Sequence, residues 1–184
     1  MVGDWLESGL PPGSQDLVVG DGGFGFFDHP DSQRALAKAL SRLLRPGGLF
    51  VYRHYAQASR RERVDDVLAD MRAGAIGNFH IFKWRLAMAL QPDSRRGVGL
   101  HDIWRACMDA RPDSSALPQP GWSRQAVDTI RFYRDKTARL YFPTLEEFRE
   151  LLAEVFVDIE VQFPDYELGD RCPIVTARRR GTGM

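Results

Sequence analysis

Residues 15–52 read QDLVVGDGGFGFFDHPDSQRALAKALSRLLRPGGLFVY, and the punctuation of this stretch decides the fold. Leu17-Val18-Val19 is a short apolar, β-branched run bounded by Gly13-Ser14 before and Gly20-Asp21-Gly22 after, the signature of a strand buried on both faces. From Asp31 or Ser32 to Arg45, Leu36, Leu40, Leu43 and Leu44 recur at helical spacing, and Arg45-Pro46-Gly47-Gly48 is made of residues that stop helices. Leu49-Phe50-Val51-Tyr52 follows as a second buried strand. Strand, helix and strand joined by such short links form one βαβ unit, for which parallel pairing is the default.

Downstream the texture changes. Residues 57–140 read as a helical insertion: Ser59-Arg60-Arg61-Glu62 has the form of a capping box, and Val64, Val67, Leu68 and Met71 behind it share one helical face. Further helices are predicted over 78–91, 99–110 and 122–137. No repeat period runs through them, which argues against a solenoid. Residues 141–184 return to the pattern of residues 1–56. Thr144-Leu145-Glu146-Glu147 is a second capping box, leading a helix with Phe148, Leu151, Leu152 and Val155 in one stripe. Strict alternation over 157–163 then predicts a strand with one buried and one wet face. Ile174-Val175-Thr176-Ala177 supplies a last strand, too close to its predecessor for a helical crossover, so the two should pair antiparallel at the sheet's edge.

Composition excludes several classes. The 184 residues are 43% hydrophobic and 27% charged, ordinary for one globular domain with a sizeable core. Lys plus Arg and Asp plus Glu both number 25, so no net field recruits nucleic acid or an anionic membrane. The basic run Arg178-Arg179-Arg180 reads as a solvated end. No apolar run reaches membrane-spanning length, and Asp4 and Glu7 stand where a signal peptide would be basic and then apolar, so a cytoplasmic location is expected. Cys107 and Cys172 stand apart as reduced thiols, and His29, His54, His80 and His101 form no ligand pattern, so no metal site is expected.

The run Gly20-Asp21-Gly22-Gly23-Phe24-Gly25 is formally GxGxxG, which after a strand can wrap the pyrophosphate of NAD(P). That fingerprint wants the helix to open within the glycines and an acid after the next strand. Here Phe26 to Pro30 intervene, and Arg53-His54 stands in place of the acid. Taken whole, Gly3-Asp4-Trp5, Gln15-Asp16-Leu17-Val18-Val19-Gly20-Asp21-Gly22, Leu43-Leu44-Arg45-Pro46-Gly47-Gly48-Leu49 and the closing strand pair resemble the C-terminal two thirds of a class I S-adenosylmethionine-dependent methyltransferase. The resemblance covers most of the chain outside the insertion.

It implies an α/β, Rossmann-like methyltransferase sheet that is N-terminally incomplete, with a helical insertion and a C-terminal antiparallel strand pair. Family members begin with a strand, a Gly-rich cofactor loop and a second strand ending in a ribose-binding acid. This sequence has no counterpart to them, so the chain alone is expected to bind cofactor weakly and to have doubtful activity. By the same resemblance the cofactor is S-adenosyl-L-methionine. Asp4 and Trp5 match the positions beside the adenine, and Gly20, Asp21 and Gly22 match the loop that closes over the methionine portion. The insertion matches the place of an acceptor lid, which implies a small-molecule acceptor.

Methyl transfer from a sulfonium is an in-line displacement, so the protein mainly supplies alignment, with a general base only if the acceptor carries a proton. Candidates at the acceptor are Asp21, His54 and Tyr55, followed by Tyr52 and His80, each of which is equally an ordinary packed or exposed side chain. Two other readings stand beside methyl transfer: a non-catalytic interaction module that self-associates through an exposed sheet edge, and an NAD(P)-binding protein using the Gly20–Gly25 loop.

Overall fold

The computed structural model describes residues 5–110 and 121–181. The chain divides into two units, residues 1–56 with 143–184, and residues 57–142.

The first unit is built on a four-stranded sheet. β1 (Gln15–Asp21) leads through a 3-10 turn over Gly23–Phe26 to α1 (Asp31–Leu43) and β2 (Leu44–Arg53). After the second unit come α6 (Leu145–Ala153), β5 (Phe156–Gln162) and β6 (Ile174–Arg179). The strand order is β1-β2-β6-β5, with β1 and β2 parallel and β6 antiparallel to both of its neighbours. This is a mixed α/β sheet with the antiparallel pair at one side, as the sequence predicts.

The helix that connects β1 to β2 ends earlier than its stop signal. α1 closes at Leu43, and Leu44 is already extended. Arg45-Pro46-Gly47-Gly48 lies inside β2, with Gly47 at φ 73°. The extra residues are absorbed by a register jump, because Gln15 pairs with Leu44 while Leu17 pairs with Leu49. A left-handed glycine lets β2 bulge without leaving the sheet.

Among the described residues, helices cover one face of the sheet. Phe50, Tyr52, Val175, Ala177 and Phe156 point to it and pack with Leu36 and Ala37 of α1 and Phe148, Leu151 and Leu152 of α6. Side chains of the other parity form the opposite face: Leu17 and Val19 of β1, which are 49% and 67% exposed, with Leu49 and Val51 beside them. The expectation that Leu17-Val18-Val19 is buried on both faces is therefore corrected. The run is apolar throughout, but among the described residues helices lie against one side of it and β1 has a single strand neighbour.

α6 starts as predicted. Glu147 donates its backbone N–H to Thr144 Oγ1 at 3.2 Å, and the Thr144 N–H is accepted by the Glu147 carboxylate at 2.7 Å. Thr144→Ala should remove the bond to Oγ1, leaving the backbone N–H of residue 144 on Glu147, and cost about 1 kcal/mol, read as a lower urea midpoint at unchanged slope. In β5 the alternation expected over 157–163 is broken by a bulge: Asp158 sits at φ 52°, where the register jumps between Val157 and Glu160. Phe156, Ile159 and Val161 therefore meet the core, while Val157 pairs with Arg178 on the other face and Phe163 is exposed. The basic run at the end is not a frayed tail. Arg178 and Arg179 belong to β6, and their guanidiniums donate to the carbonyls of Gly47 (3.1 Å) and Leu44.

The second unit is helical. α2 (Val64–Arg72), α3 (Phe79–Leu90), α4 (Leu100–Asp109) and α5 (Arg124–Asp128) are accompanied by a two-stranded ribbon, β3 (Val98–Gly99) and β4 (Arg139–Leu140). A cap at Ser59 would start α2 at Arg60, but the helix begins only at Val64, with Arg63 at the N-cap position and no side-chain cap bond. The reason is that Glu62, the acid of the expected box, is bound by Arg85 of α3, which also holds Asp70. The helix predicted over 122–137 is shorter too, breaking into a 3-10 turn over Thr129–Tyr133. α3 is capped by Asn78, whose side chain accepts from the amides of His80 and Ile81. Both ends of the unit are tied near the close of α3. Gln57 donates to the Met88 carbonyl at 2.8 Å, while Gln91 donates to the Phe142 carbonyl at 2.9 Å and accepts the Phe142 N–H at 2.8 Å.

Candidate functional site

The residues that the sequence singles out converge at the C-terminal ends of the two parallel strands, where open α/β sheets place their ligands. The Asp21–Arg53 register brings the two side chains to the same face. Asp21 accepts from Arg53 Nε at 2.8 Å and from its Nη2 at 2.5 Å, a bidentate pair on the solvent side of the strand ends. The hydrogen bond to Asp21 is the largest of the interactions that raise the Arg53 pKa, and a bond to Tyr166 adds to it. Arg53 also lies over the Tyr55 ring, 5.7 Å from its centre.

Beyond Asp21 the chain turns sharply. Gly22 adopts φ 67° and donates its N–H to the Arg53 carbonyl at 3.1 Å. The following 3-10 turn is pinned from beneath: the Phe24 N–H donates to the Tyr52 hydroxyl at 2.7 Å, and Gln33 donates to the carbonyls of Phe24 and Phe27, each at 3.1 Å. The glycines of this loop are required by the protein's own aromatics. A Cβ at Gly20 would come within 2.8 Å of the Tyr52 ring and one at Gly22 within 2.6 Å of the Tyr55 ring, while at Gly23 it would collide with the Trp5 indole. Trp5 packs on this loop, 6.3 Å from Phe27, and keeps about half its surface open (49% exposed).

His54 and Tyr55 diverge. His54 turns into the core, 2% exposed, where its ring stacks on Phe148 with centroids 4.0 Å apart and Nε2–H donates to the Pro143 carbonyl at 3.3 Å. Burial pushes its pKa down to about 3, and the bond to Pro143 offsets only part of that. It is a neutral, weakly basic ring with no solvent face. Burial raises the Tyr55 phenol, and raises Tyr52 further, so both stay protonated at neutral pH. Asp4 lies outside the described residues. His80 belongs to the other unit, exposed in the first turn of α3.

The structure thus brings together Trp5, Gly20, Asp21, Gly22 and Tyr55, and adds Arg53 and Tyr166 to them. Strand alternation carried a signal for Arg53, since residues 21 and 53 both close their strands. Nothing local marks Tyr166, which reaches the site from the β5–β6 connection. The glycine run opens a single 3-10 turn and not α1, which begins at Asp31 with Pro30 before it. The strand-to-helix phosphate cradle of the dinucleotide fingerprint is thus not formed here. Among the described residues, no group of three or more His, Cys, Asp or Glu side chains is arranged to hold a metal, and no helix is long and apolar enough to cross a membrane.

No family model matches the sequence, and no curated protein matches it. Solved structures do. The S-adenosylmethionine-dependent methyltransferase SibL in its apo form superposes with a TM-score of 0.50 at 11% identity, over 98% of this chain and 35% of that one. This is a methyltransferase-type, Rossmann-like α/β fold. Human N-acetylserotonin methyltransferase, in complex with S-adenosylmethionine, is similar over 99% of this chain and 33% of its own at 14% identity and a TM-score of 0.45. A putative Zn-dependent alcohol dehydrogenase from Rhodobacter sphaeroides covers 93% of this chain and 61% of its own at 15% identity and a TM-score of 0.53. The chain spans about a third of the length of the two methyltransferases.

Proposed function

We propose that this chain takes part in S-adenosylmethionine-dependent methyl transfer to a small-molecule acceptor in the cytoplasm, with Trp5, Gly20, Asp21 and Gly22 as its cofactor-facing residues. The observation that carries the reading is the loop at the C-terminal ends of β1 and β2, set in a sheet whose fold is shared with methyltransferases. The side chains there fit a sulfonium cofactor in two respects. The Asp21 carboxylate, its charge matched by Arg53, keeps oxygen lone pairs for a hydrogen-bond donor of the cofactor, and the half-open Trp5 indole is a flat surface for a purine. The cofactor itself supplies the electrophilic methyl group. Arg53 holds the Asp21 carboxylate by two bonds, so those lone pairs arrive already oriented. Tyr52 and Gln33 fix the turn beneath it. With His54 in the core and both tyrosines protonated, the protein's contribution is alignment. Two buried, reduced thiols suit a reducing compartment.

Titration of the labelled protein with S-adenosylhomocysteine, followed by NMR, tests this even at weak affinity. The expected result is saturable shifts at the amides of Gly20 to Gly23 and at the Trp5 indole N–H, reduced in Asp21→Asn. Uniform shifts, or none at this loop, would overturn the assignment.

A further inference from the structure

The outer edge of β1 has no strand partner within the described residues, and the residues that form it are self-complementary. Because the Gly22 N–H turns toward β2, strand alternation turns the backbone groups of Leu17, Val19 and Asp21 the other way, outward from the sheet. The charges of the strand, Asp16 and Asp21, stand at its two ends and leave the middle of this edge unguarded. Between Leu17 and Gly20 there is no proline, no lysine and no charge, the devices by which exposed edges are normally blunted. Leu17 and Val19 are also exposed on the uncovered face.

We propose that β1 pairs antiparallel with β1 of a second copy of this chain, about a two-fold axis through Val18. In an antiparallel pair, outward-turned residues must oppose outward-turned residues, which leaves few registers. The one centred on Val18 sets Leu17 opposite Val19 of the second copy, Val18 opposite Val18, Asp16 opposite Gly20 and Gln15 opposite Asp21. Every outward-turned residue then has a partner, and Leu17 and Val19 of the two copies meet as one apolar strip. Registers centred on Asp16 or on Asp21 place two carboxylates directly against each other, which is unfavourable. The charges nearest the seam are already compensated within each chain, Asp16 by Arg45 and Asp21 by Arg53. The two edges therefore approach without net repulsion, and a two-fold contact of this kind closes on itself rather than growing into a fibre.

Sedimentation velocity over a dilution series tests the assembly, and a cysteine pair tests the register. The chain is expected to sediment as a dimer that dissociates on dilution. Val19→Lys puts a charge into the apolar strip and should give a monomer. Its melting temperature at high dilution should match that of the parent, since Val19 is two-thirds exposed. Val18→Cys should form an intermolecular disulfide between the two copies under mild oxidation, because residues opposite each other at a non-hydrogen-bonded pair have the required Cα separation of about 4.5 Å. Val19→Cys should not, its own opposite being Leu17. A monomer at every concentration would leave the edge to a different chain and overturn the proposal. So would a dimer that survives Val19→Lys, or one in which Val18→Cys fails to cross-link.

Discussion

Phe148→Ala is expected to destabilise the first unit by about 3–5 kcal/mol, the range for emptying a fully buried aromatic site. Phe148 is fully buried, and its ring meets three others: His54 at 4.0 Å, Phe24 at 5.2 Å and Tyr52 at 5.6 Å between centroids. Phe24 and Tyr52 are the residues that hold the candidate loop through the Phe24 N–H, so the loss should reach the site. Urea titration gives the free energy, and the Gly22 and Phe24 amide resonances report the loop. A loss below about 1 kcal/mol would mean that α6 closes over the hole and that the ring cluster is not what fixes the turn.

The second large effect is acid sensitivity centred on His54. Its folded-state pKa of about 3 lies below the ordinary histidine value of 6.5, so the folded state resists a proton that the unfolded chain accepts. The stability associated with the neutral ring is therefore complete above pH 6.5 and is lost progressively as pH falls toward 3. Once the unfolded histidine is mostly protonated, the slope should approach about 1.4 kcal/mol per pH unit. Glu147 favours the charged ring and His29 opposes it, both as smaller influences than burial. Between pH 6.5 and 5 most carboxylates are still ionised, so denaturation curves in that window report the histidines, and comparison with His54→Leu separates His54 from His80, which burial also lowers. His54→Leu should be less stable at pH 7.5, having left the Pro143 carbonyl without its donor, yet show a flatter pH dependence. An unchanged slope in His54→Leu would mean that the ring is reached by water.

Local rules carried the parts of the fold in which a residue's partner is near in sequence. Thr144 and Glu147 are three residues apart, and the Thr144 N–H at 2.7 Å is nearer the Glu147 carboxylate than His29 Nε2 at 3.9 Å, so the capping box formed as written. Ser59 and Glu62 have the same spacing, but Arg85, 23 positions on, takes the carboxylate. That competition is invisible until α2 and α3 pack. The β1 run was legible as a strand and not as a half-exposed one, because apolar character is the same whether or not a helix arrives to cover it. At the candidate site, Asp21 and the glycines were visible from their place after a strand. The reason for the glycines was not, since what excludes a Cβ there is the close approach of Tyr52, Tyr55 and Trp5, which are distant in sequence. His54 and Tyr55 are adjacent in sequence, yet one enters the core and the other edges the site. Which does which follows from the parity of β2, and that parity was set by the bulge at Arg45-Pro46-Gly47-Gly48.

The bonds around Gln91 have a bearing on ancestry. The segment from Gln57 to Phe142 begins and ends beside one helix terminus, so its two ends are neighbours within their own unit. In the other unit His54 and Pro143, the residues flanking the same junctions, are also hydrogen-bonded neighbours. A segment whose ends meet in this way can be gained, lost or exchanged by recombination at two points, without rethreading the chain on either side. Lineages that share the sheet are thus free to differ in this segment, and selection can act on the two genetic pieces at different rates.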